Sequence, residues 1–430
     1  MLVYTEKITN RVKYIFKILL TDLLGQEIEF TDQKEYFIST VKPKLNYSKV
    51  RFRNEVYICS SNLLFEDNIS NQLINVSQWN NHPIFFQTTG ADLPFDIFAA
   101  SFYLIVRYEE YLPFNPDIYG RFEASNSLAF QHNFIEDPII NSWTDELKKI
   151  IFLQYPELKN KVHKFKNLVT IDIDSTFAIK HKGFFRTTGK LLESLLRTQF
   201  KDLFFRLKVI LNIENDPYDM FDYFYSLFMA ADEKPILFWL VGDYGKYDKN
   251  ISIHHPASKI IIYHSLSYSE TGLHPSFKSG QSLQRILKEK KRLEQVVNKK
   301  ISKSRQHFLK IKIPDTYQNL IKCGIEEDYS LGYASHSGFR AGICHPFHFF
   351  DLTANQETNL TIYPLCLMDR SLISYMKLTS DESSFKIKEL MEKVRKYNGI
   401  FISLWHNETI AFSDDGRNWR NIFEQIIREK

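Results

Sequence analysis

Beyond about residue 165 the chain reads as short apolar runs separated by longer helical segments, and this alternation constrains the fold more than any other feature. The runs are Leu168–Ile173, Ile236–Val241, Leu309–Ile313 and Ile400–Trp405. Parallel neighbours need a long crossover between them, usually a helix, whereas antiparallel neighbours need only a tight turn. The spacing therefore predicts an α/β region built on a parallel sheet or an α/β barrel. Local punctuation agrees. Pro314 suits a first helical turn and Gly324 follows where that helix should end. Ser383 or Ser384 can cap a later helix that Gly399 closes.

The preceding part has a different texture and predicts a smaller α+β domain. From Val12 to Leu24 apolar residues recur at helical spacing, interrupted by Lys13, Lys17 and Asp22, which reads as an amphipathic core helix. Val56–Cys59 and Pro83–Phe86 are β-type runs. Phe95–Leu112 is a strongly apolar helix stopped by Pro113, and Ser142 or Thr144 is placed to cap a helix carrying Leu147, Ile150 and Ile151. The charged stretch Pro156–Lys166 marks the boundary, giving units 1–155 and 165–430. No catalytic cluster is expected in the first.

Composition removes several classes of function. Hydrophobic residues at 44 % and charged residues at 25 % exclude a disordered or fibrous chain. The balance of 55 basic to 51 acidic residues, net +4, is too even for a nucleic-acid binder. Cys59, Cys323, Cys344 and Cys366 show no zinc-finger spacing and fit a reducing compartment. With no apolar run of about 18 residues and no leader pattern, a cytoplasmic location is expected. The rings that make up 15 % of the chain mostly fill a core, with some free to line a sugar-binding cleft.

Polar, metal-competent side chains gather at the ends of the strand-like runs. Val169–Asp174 ends in two carboxylates, and residues two apart on a strand share a face, so Asp172 and Asp174 converge. Further candidates follow in Gly272-Leu-His274-Pro-Ser276, Ser304-Arg305-Gln-His307 and Ser403-Leu-Trp405-His406-Asn407. Residues at the C-terminal ends of several strands would meet in one barrel site.

Two chemistries compete for the carboxylate pair. In one, the Asp172-Ile-Asp174-Ser-Thr176 run resembles the first motif of haloacid-dehalogenase-type phosphatases. Asp172 is then the nucleophile, Asp174 the acid/base and Thr176 a helper, with Asp414-Asp415 as the further acidic pair. That reading leaves His274, Arg305 and His406 without work. In the other, Asp174, His274 and one more His hold a catalytic metal. Asp172 takes a proton from water, Arg305 holds Asp172 ionised, and His406 protonates the leaving amine.

The ordered set Thr170-Ile-Asp172-Ile-Asp174, Gly272-Leu-His274-Pro-Ser276, Ser304-Arg305-Gln-His307 and Ser403-Leu-Trp-His406-Asn resembles the NodB-homology polysaccharide deacetylases. Asp328-Tyr-Ser-Leu-Gly-Tyr and Gly338-Phe-Arg340-Ala-Gly342 strengthen the likeness. They point to a bacterial subgroup with an additional N-terminal domain of unknown function, which Phe95–Glu110 and Gly120-Arg-Phe122 resemble in part. The resemblance implies a distorted (β/α) barrel of NodB type, a divalent metal, usually zinc, and removal of an acetyl group from a saccharide, N-acetyl ahead of O-acetyl. It matches Asp172 to the base, Asp174 and His274 to metal ligands, Arg305 to the residue that orients the base, and His406 to the acid. Asp328, Arg340 and Trp405 are expected to meet substrate.

The sequence departs from the family pattern twice. Ile173 separates the usually adjacent aspartates, and Lys278 stands where a second His would follow His274. His307, presented by the Arg-bearing strand, is expected to supply the third ligand. Without it, the chain would be a weak or inactive saccharide-binding relative. The expected substrate is a saccharide or a lipid- or nucleotide-linked sugar. Segment 182–211 interleaves basic and apolar residues; it fits either a helix packed on the barrel with a solvated face or peripheral contact with an anionic membrane.

Overall fold

The computed structural model describes residues 1–229, 231, 233–411 and 419–429; Asp414 and Asp415 lie outside the described residues. The N-terminal half is built on strands β1 (Leu2–Thr5), β2 (Glu29–Thr31), β3 (Lys44–Ser48) and β4 (Val56–Cys59), in the order β2-β1-β3-β4. Every neighbouring pair is parallel. This half is thus α/β rather than the expected α+β: helices return the chain to the same end of the sheet before β2 and β3, and a loop over 49–55 does so before β4. The helix Asn10–Phe16, capped by Thr9, continues as a π-helix over Lys17–Leu23 and buries the face that its spacing predicted. A hairpin, β5 (Ser77–Trp79) and β6 (His82–Ile84), turns on Asn80 and Asn81, both left-handed.

The apolar run Phe95–Leu112 forms a shorter helix, Ile97–Ile105, capped by the Asp96 side chain. Left-handed Arg107 ends it before Pro113 is reached. The helix Ile139–Gln154 starts after Pro138, so Ser142 and Thr144 lie inside it rather than at its cap.

The C-terminal half carries β7 (Lys166–Ile173), β8 (Ile236–Leu240), β9 (Glu270–His274), β10 (Lys303–Ser304), β11 (Glu327–Asp328), β12 (Phe347–Asp351), β13 (Gln356–Ile362), β14 (Leu367–Met368) and β15 (Ile400–His406). Their order is β12-β13-β11-β10-β9-β8-β7-β15-β14, with only the β12–β13 pair antiparallel. The expected run Leu309–Ile313 is not a strand. Phe308 and Leu309 take positive φ of 65° and 50°, which turns the chain off the sheet just after β10. The cap of the helix Ser380–Lys396 is also not Ser383 or Ser384 but Thr379, whose reciprocal bonds with Glu382 satisfy two end donors at once.

The sheet curls strongly. Neighbouring strands lie about 4.8 Å apart, so β10 and β7, three steps apart, would stand roughly 14 Å apart if flat. Yet Arg305, just beyond β10, reaches Thr170 on β7 at 2.7 Å. Ile236, Phe238, Tyr329, Met368, Ile402 and Leu404 pack together on the concave side. No ladder joins β12 to β14 among the described residues, but β13 and β14 lie on one stretch that touches both flanks. Tyr363 N bonds Asp328 O at 2.9 Å and Cys366 N bonds Ile402 O at 3.0 Å.

A single hydrophobic cluster runs through both halves. Tyr14 Oη donates to His348 O at 2.6 Å, and Phe102 packs edge-on against Phe350. The charged stretch after Pro156 is tied down by Gln26 Nε2 to Lys159 O at 2.7 Å and by Lys161 N to Leu24 O at 3.1 Å.

Candidate metal centre

The polar residues meet where the parallel strands end. Asp172 is the seventh residue of β7 and Asp174 follows its last; His274 closes β9. The chain after β10 stays alongside β9, with Arg305 N on Leu273 O at 3.0 Å and His307 N on Pro275 O at 3.2 Å. Both segments therefore present residues two apart in the same direction, and the pairs meet at two levels. Deeper in, Arg305 Nη1 donates to Asp172 Oδ1 at 3.1 Å; nearer the surface, His307 Nε2 stands 3.5 Å from Asp174 Oδ2.

His274 Nε2 lies 3.3 Å from Asp174 Oδ1 and 3.5 Å from Asp172 Oδ2. Its Nδ1 bonds the Arg305 carbonyl oxygen, which only a protonated Nδ1 can do, so Nε2 turns a lone pair toward Asp174. His307 is set the same way: Nδ1 pairs with Asp248 Oδ1 at 2.9 Å. One ligand atom from each of Asp174, His274 and His307 falls within 4.8 Å of the others. His274 Nε2 and Asp174 Oδ1 are buried without a hydrogen-bond partner. Two imidazoles oriented by oxygen acceptors, one carboxylate and two orphaned buried atoms fit a divalent cation with an open coordination position.

The electrostatics agree. Burial raises Asp174, but the neighbouring imidazoles, His307 foremost with His274 and His406, outweigh it and hold the carboxyl well below its usual range. Burial lowers His307, yet Asp174 and Asp248 carry it up to about 10. Such a cluster attracts positive charge, and a proton competes there with a metal.

Arg305 is held through Nε and Nη1, while its Nη2 is buried without a hydrogen-bond partner. Nε donates to Tyr329 O at 3.0 Å, and the guanidinium lies 4.6 Å from the Phe238 ring centre. Opposite, His406 ends β15, and Asp369 grips it twice: Oδ1 takes Nδ1 at 2.8 Å and Oδ2 takes the backbone N–H at 2.9 Å. Burial lowers His406, but Asp369, helped by Asp174 and Asp172, raises it to about 9.

The three residues expected to meet substrate do not reach the surface. Asp328 is buried, accepts bonds from Ser304 and Ser330, and is pushed up to about 6 by that burial. Trp405 is buried against Phe423, its indole N–H on Ser403 Oγ. Arg340 is buried against Glu110 of the N-terminal half. All three are buried among protein groups.

Other residues at the site were not singled out from sequence. Asp248 lies in the loop after β8, and nothing local marks it. Asp369 follows β14, whose two residues are too short a run to read. Four partly exposed rings stand beside His307. Tyr247 lies 4.2 Å from Phe277, Phe308 lies 5.1 Å from Tyr119, and Phe308 packs on His307 at 4.7 Å. Tyr119 comes from the N-terminal half, whose Arg121 anchors it through Phe308 O at 2.8 Å.

Residues 1–156 match a family of unknown function, DUF7033. No curated protein sequence matches the chain. A crystal structure from Mycobacterium smegmatis, assigned as a polysaccharide deacetylase, is similar over 63 % of this chain and 86 % of its own, with 12 % identity and a TM-score of 0.39. A 4-alpha-glucanotransferase from Thermococcus litoralis is similar over 62 % of this chain and 37 % of its own, with 10 % identity and a TM-score of 0.38. Likeness this distant leaves the site to stand on its own geometry.

Proposed function

We propose that this chain is a metal-dependent hydrolase removing an acetyl group, N-acetyl ahead of O-acetyl, from a saccharide or a lipid- or nucleotide-linked sugar. The observation that carries the reading is the convergence of Asp174, His274 and His307 beside an aspartate clamped by a buried arginine. The curled sheet is read as a distorted barrel. Nitrogen and carboxylate donors in this ratio suit zinc, and a cation held there supplies Lewis acidity toward a substrate carbonyl oxygen. Asp172, aimed by Arg305, accepts the proton of the attacking water. His406, with Nδ1 committed to Asp369, gives a proton from Nε2 to the leaving nitrogen as the C–N bond breaks. Acetate and a free amine result. Tyr119, Tyr247, Phe277 and Phe308 offer ring faces for a sugar.

The four cysteines are unpaired, which supports a reducing, cytoplasmic setting. No helix among the described residues is long and apolar enough to cross a membrane. In the phosphatase reading Asp172 and Asp174 would act as nucleophile and acid/base, yet Arg305 and two imidazoles already hold them.

The test is metal content together with acetate release from N-acetylated sugars. Wild type is expected to carry about one zinc per chain, and His274→Ala and His307→Ala to lose it, each by tenfold or more in affinity. Wild type without metal after zinc is supplied would turn the reading to a saccharide-binding scaffold. A pH profile adds a second check. His406 acts as an acid only while protonated, so kcat/KM should fall as pH rises through its raised value, about 9. Asp369→Asn removes the main cause of that elevation, so the alkaline limb should move to lower pH; an unmoved limb would exclude His406 as its origin.

A further inference from the structure

We infer that the helical hairpin over residues 184–213 is a membrane-docking element that seats the open end of the site on an anionic lipid surface. It comprises the helices Phe184–Leu196 and Phe200–Ile210, and it exposes apolar and basic side chains together. The buried positions in these helices are Ser194 and Val209. Phe184, Phe185, Leu196, Phe204, Leu211 and Ile213 are instead 62 to 88 % exposed. Six large apolar side chains this exposed on one hairpin mark a place where something binds.

Charge identifies the occupant. Residues 180–213 hold eight basic and two acidic side chains, net +6, whereas the whole chain carries +4, so the remainder is net negative. A second copy would set two such hairpins against each other and oppose like charges. An anionic bilayer accepts both the aromatic and the cationic side chains. Beneath the hairpin lies a cavity of about 660 Å³ lined by Lys182, Arg186, Lys190, Arg206 and Lys249, with room for phosphate groups.

Position ties the hairpin to the site. It leaves the sheet at the end of β7, ten residues beyond Asp174. Asp216 closes its base by accepting the backbone N–H groups of Ala178, Ile179 and Lys180 at 2.7 to 2.8 Å. Arg186 bonds Lys249 O at 2.9 Å, one residue from the Asp248 that orients His307. The hairpin therefore stands on the side of the sheet where the strands end and the polar residues meet. This inference concerns binding and stands whatever the reaction; with the proposed hydrolysis it favours the lipid-linked class of sugar.

The test is co-sedimentation of the full chain with vesicles of phosphatidylcholine alone and of phosphatidylcholine rich in phosphatidylglycerol. Binding is expected to the anionic vesicles at low salt and to weaken as salt rises. Lys190→Gln and Lys201→Gln should each weaken it about five-fold, and Phe184→Ser and Phe204→Ser each by about tenfold or more, with zinc content unchanged. Absence of wild-type binding to either vesicle overturns the inference without recourse to variants. So does a dimer in solution that the Phe184→Ser and Phe204→Ser changes dissolve while vesicles capture nothing, because a second copy would then be the occupant.

Discussion

Asp172→Asn is expected to lower kcat by about 10²- to 10⁴-fold, the usual cost of removing a general base, while metal content stays at the wild-type level. Asn fills the same volume and can still accept from Arg305 Nη1, so the shape of the site is kept. What it loses is the negative charge and the ability to take a proton from water. Asp172 is not one of the three residues whose ligand atoms converge, and its Oδ1 is already committed to Arg305 at 3.1 Å. Metal loss on its substitution should therefore be small beside that of His274→Ala. The measurement pairs acetate release with zinc content on the same preparations. Equal loss of zinc in both variants would make Asp172 a ligand and reverse the roles given to the two aspartates. Full activity with zinc retained would remove the base assignment altogether.

The site was largely legible because its chemistry is written in a spacing. Asp172 and Asp174 stand two apart on one segment, and Arg305 and His307 stand two apart on another. The two segments are three strands apart, and the curl of the sheet brings the pairs together at two levels. His307 could be named from sequence as the third ligand candidate because it lies two residues beyond Arg305 on the same segment, and it falls with Asp174 and His274 in the structure. Asp248 and Asp369 bond His307 and His406 from loops whose proximity depends on tertiary folding, and no periodicity reports that. The parallel character of the C-terminal sheet was legible from alternating runs and helices, whereas the N-terminal sheet was not. Its strands are three to five residues long, and such runs do not distinguish parallel from antiparallel pairing. Asp328, Arg340 and Trp405 were misplaced for one shared reason. Polar and aromatic residues near a strand end look alike in sequence whether they face a cleft or a buried neighbour.

Arg340 shows what that buried neighbour does, and Glu110→Ala is expected to lower stability by about 3–5 kcal/mol, the cost of breaking a buried ion pair. Glu110 takes Arg340 Nη2 at 2.6 Å and Nε at 2.9 Å, a two-point grip, and also Arg107 Nε at 2.8 Å. Its side chain and those of both arginines are 2 to 3 % exposed. With Glu110 removed, Glu109 still pairs with Arg107 at 2.7 Å, but among the described residues the Arg340 side chain keeps one hydrogen-bond acceptor, the Gly332 carbonyl at 2.9 Å. A guanidinium left inside without its anion is the expensive product. The same segment is pressed to the N-terminal half through Gly338, at φ 130°, where a Cβ would stand 2.3 Å from Ile135 O. Glu110 thus joins the two halves at a point where the backbones nearly touch. Burial raises Glu110, but Arg340 and Arg107 outweigh it and hold the carboxyl below its usual range. The sign follows from linkage: the contribution is full above the unfolded carboxyl value and is lost as pH falls through the depressed folded one. Urea midpoints followed by intrinsic fluorescence should drop sharply for Glu110→Ala at neutral pH. The gap to wild type should then narrow as the medium is acidified. The surface pair Lys149–Glu146 supplies the control, since Lys149 is 69 % exposed and Lys149→Ala should leave the midpoint in place. A Glu110→Ala midpoint equal to that of Lys149→Ala would show that the two halves do not depend on this contact.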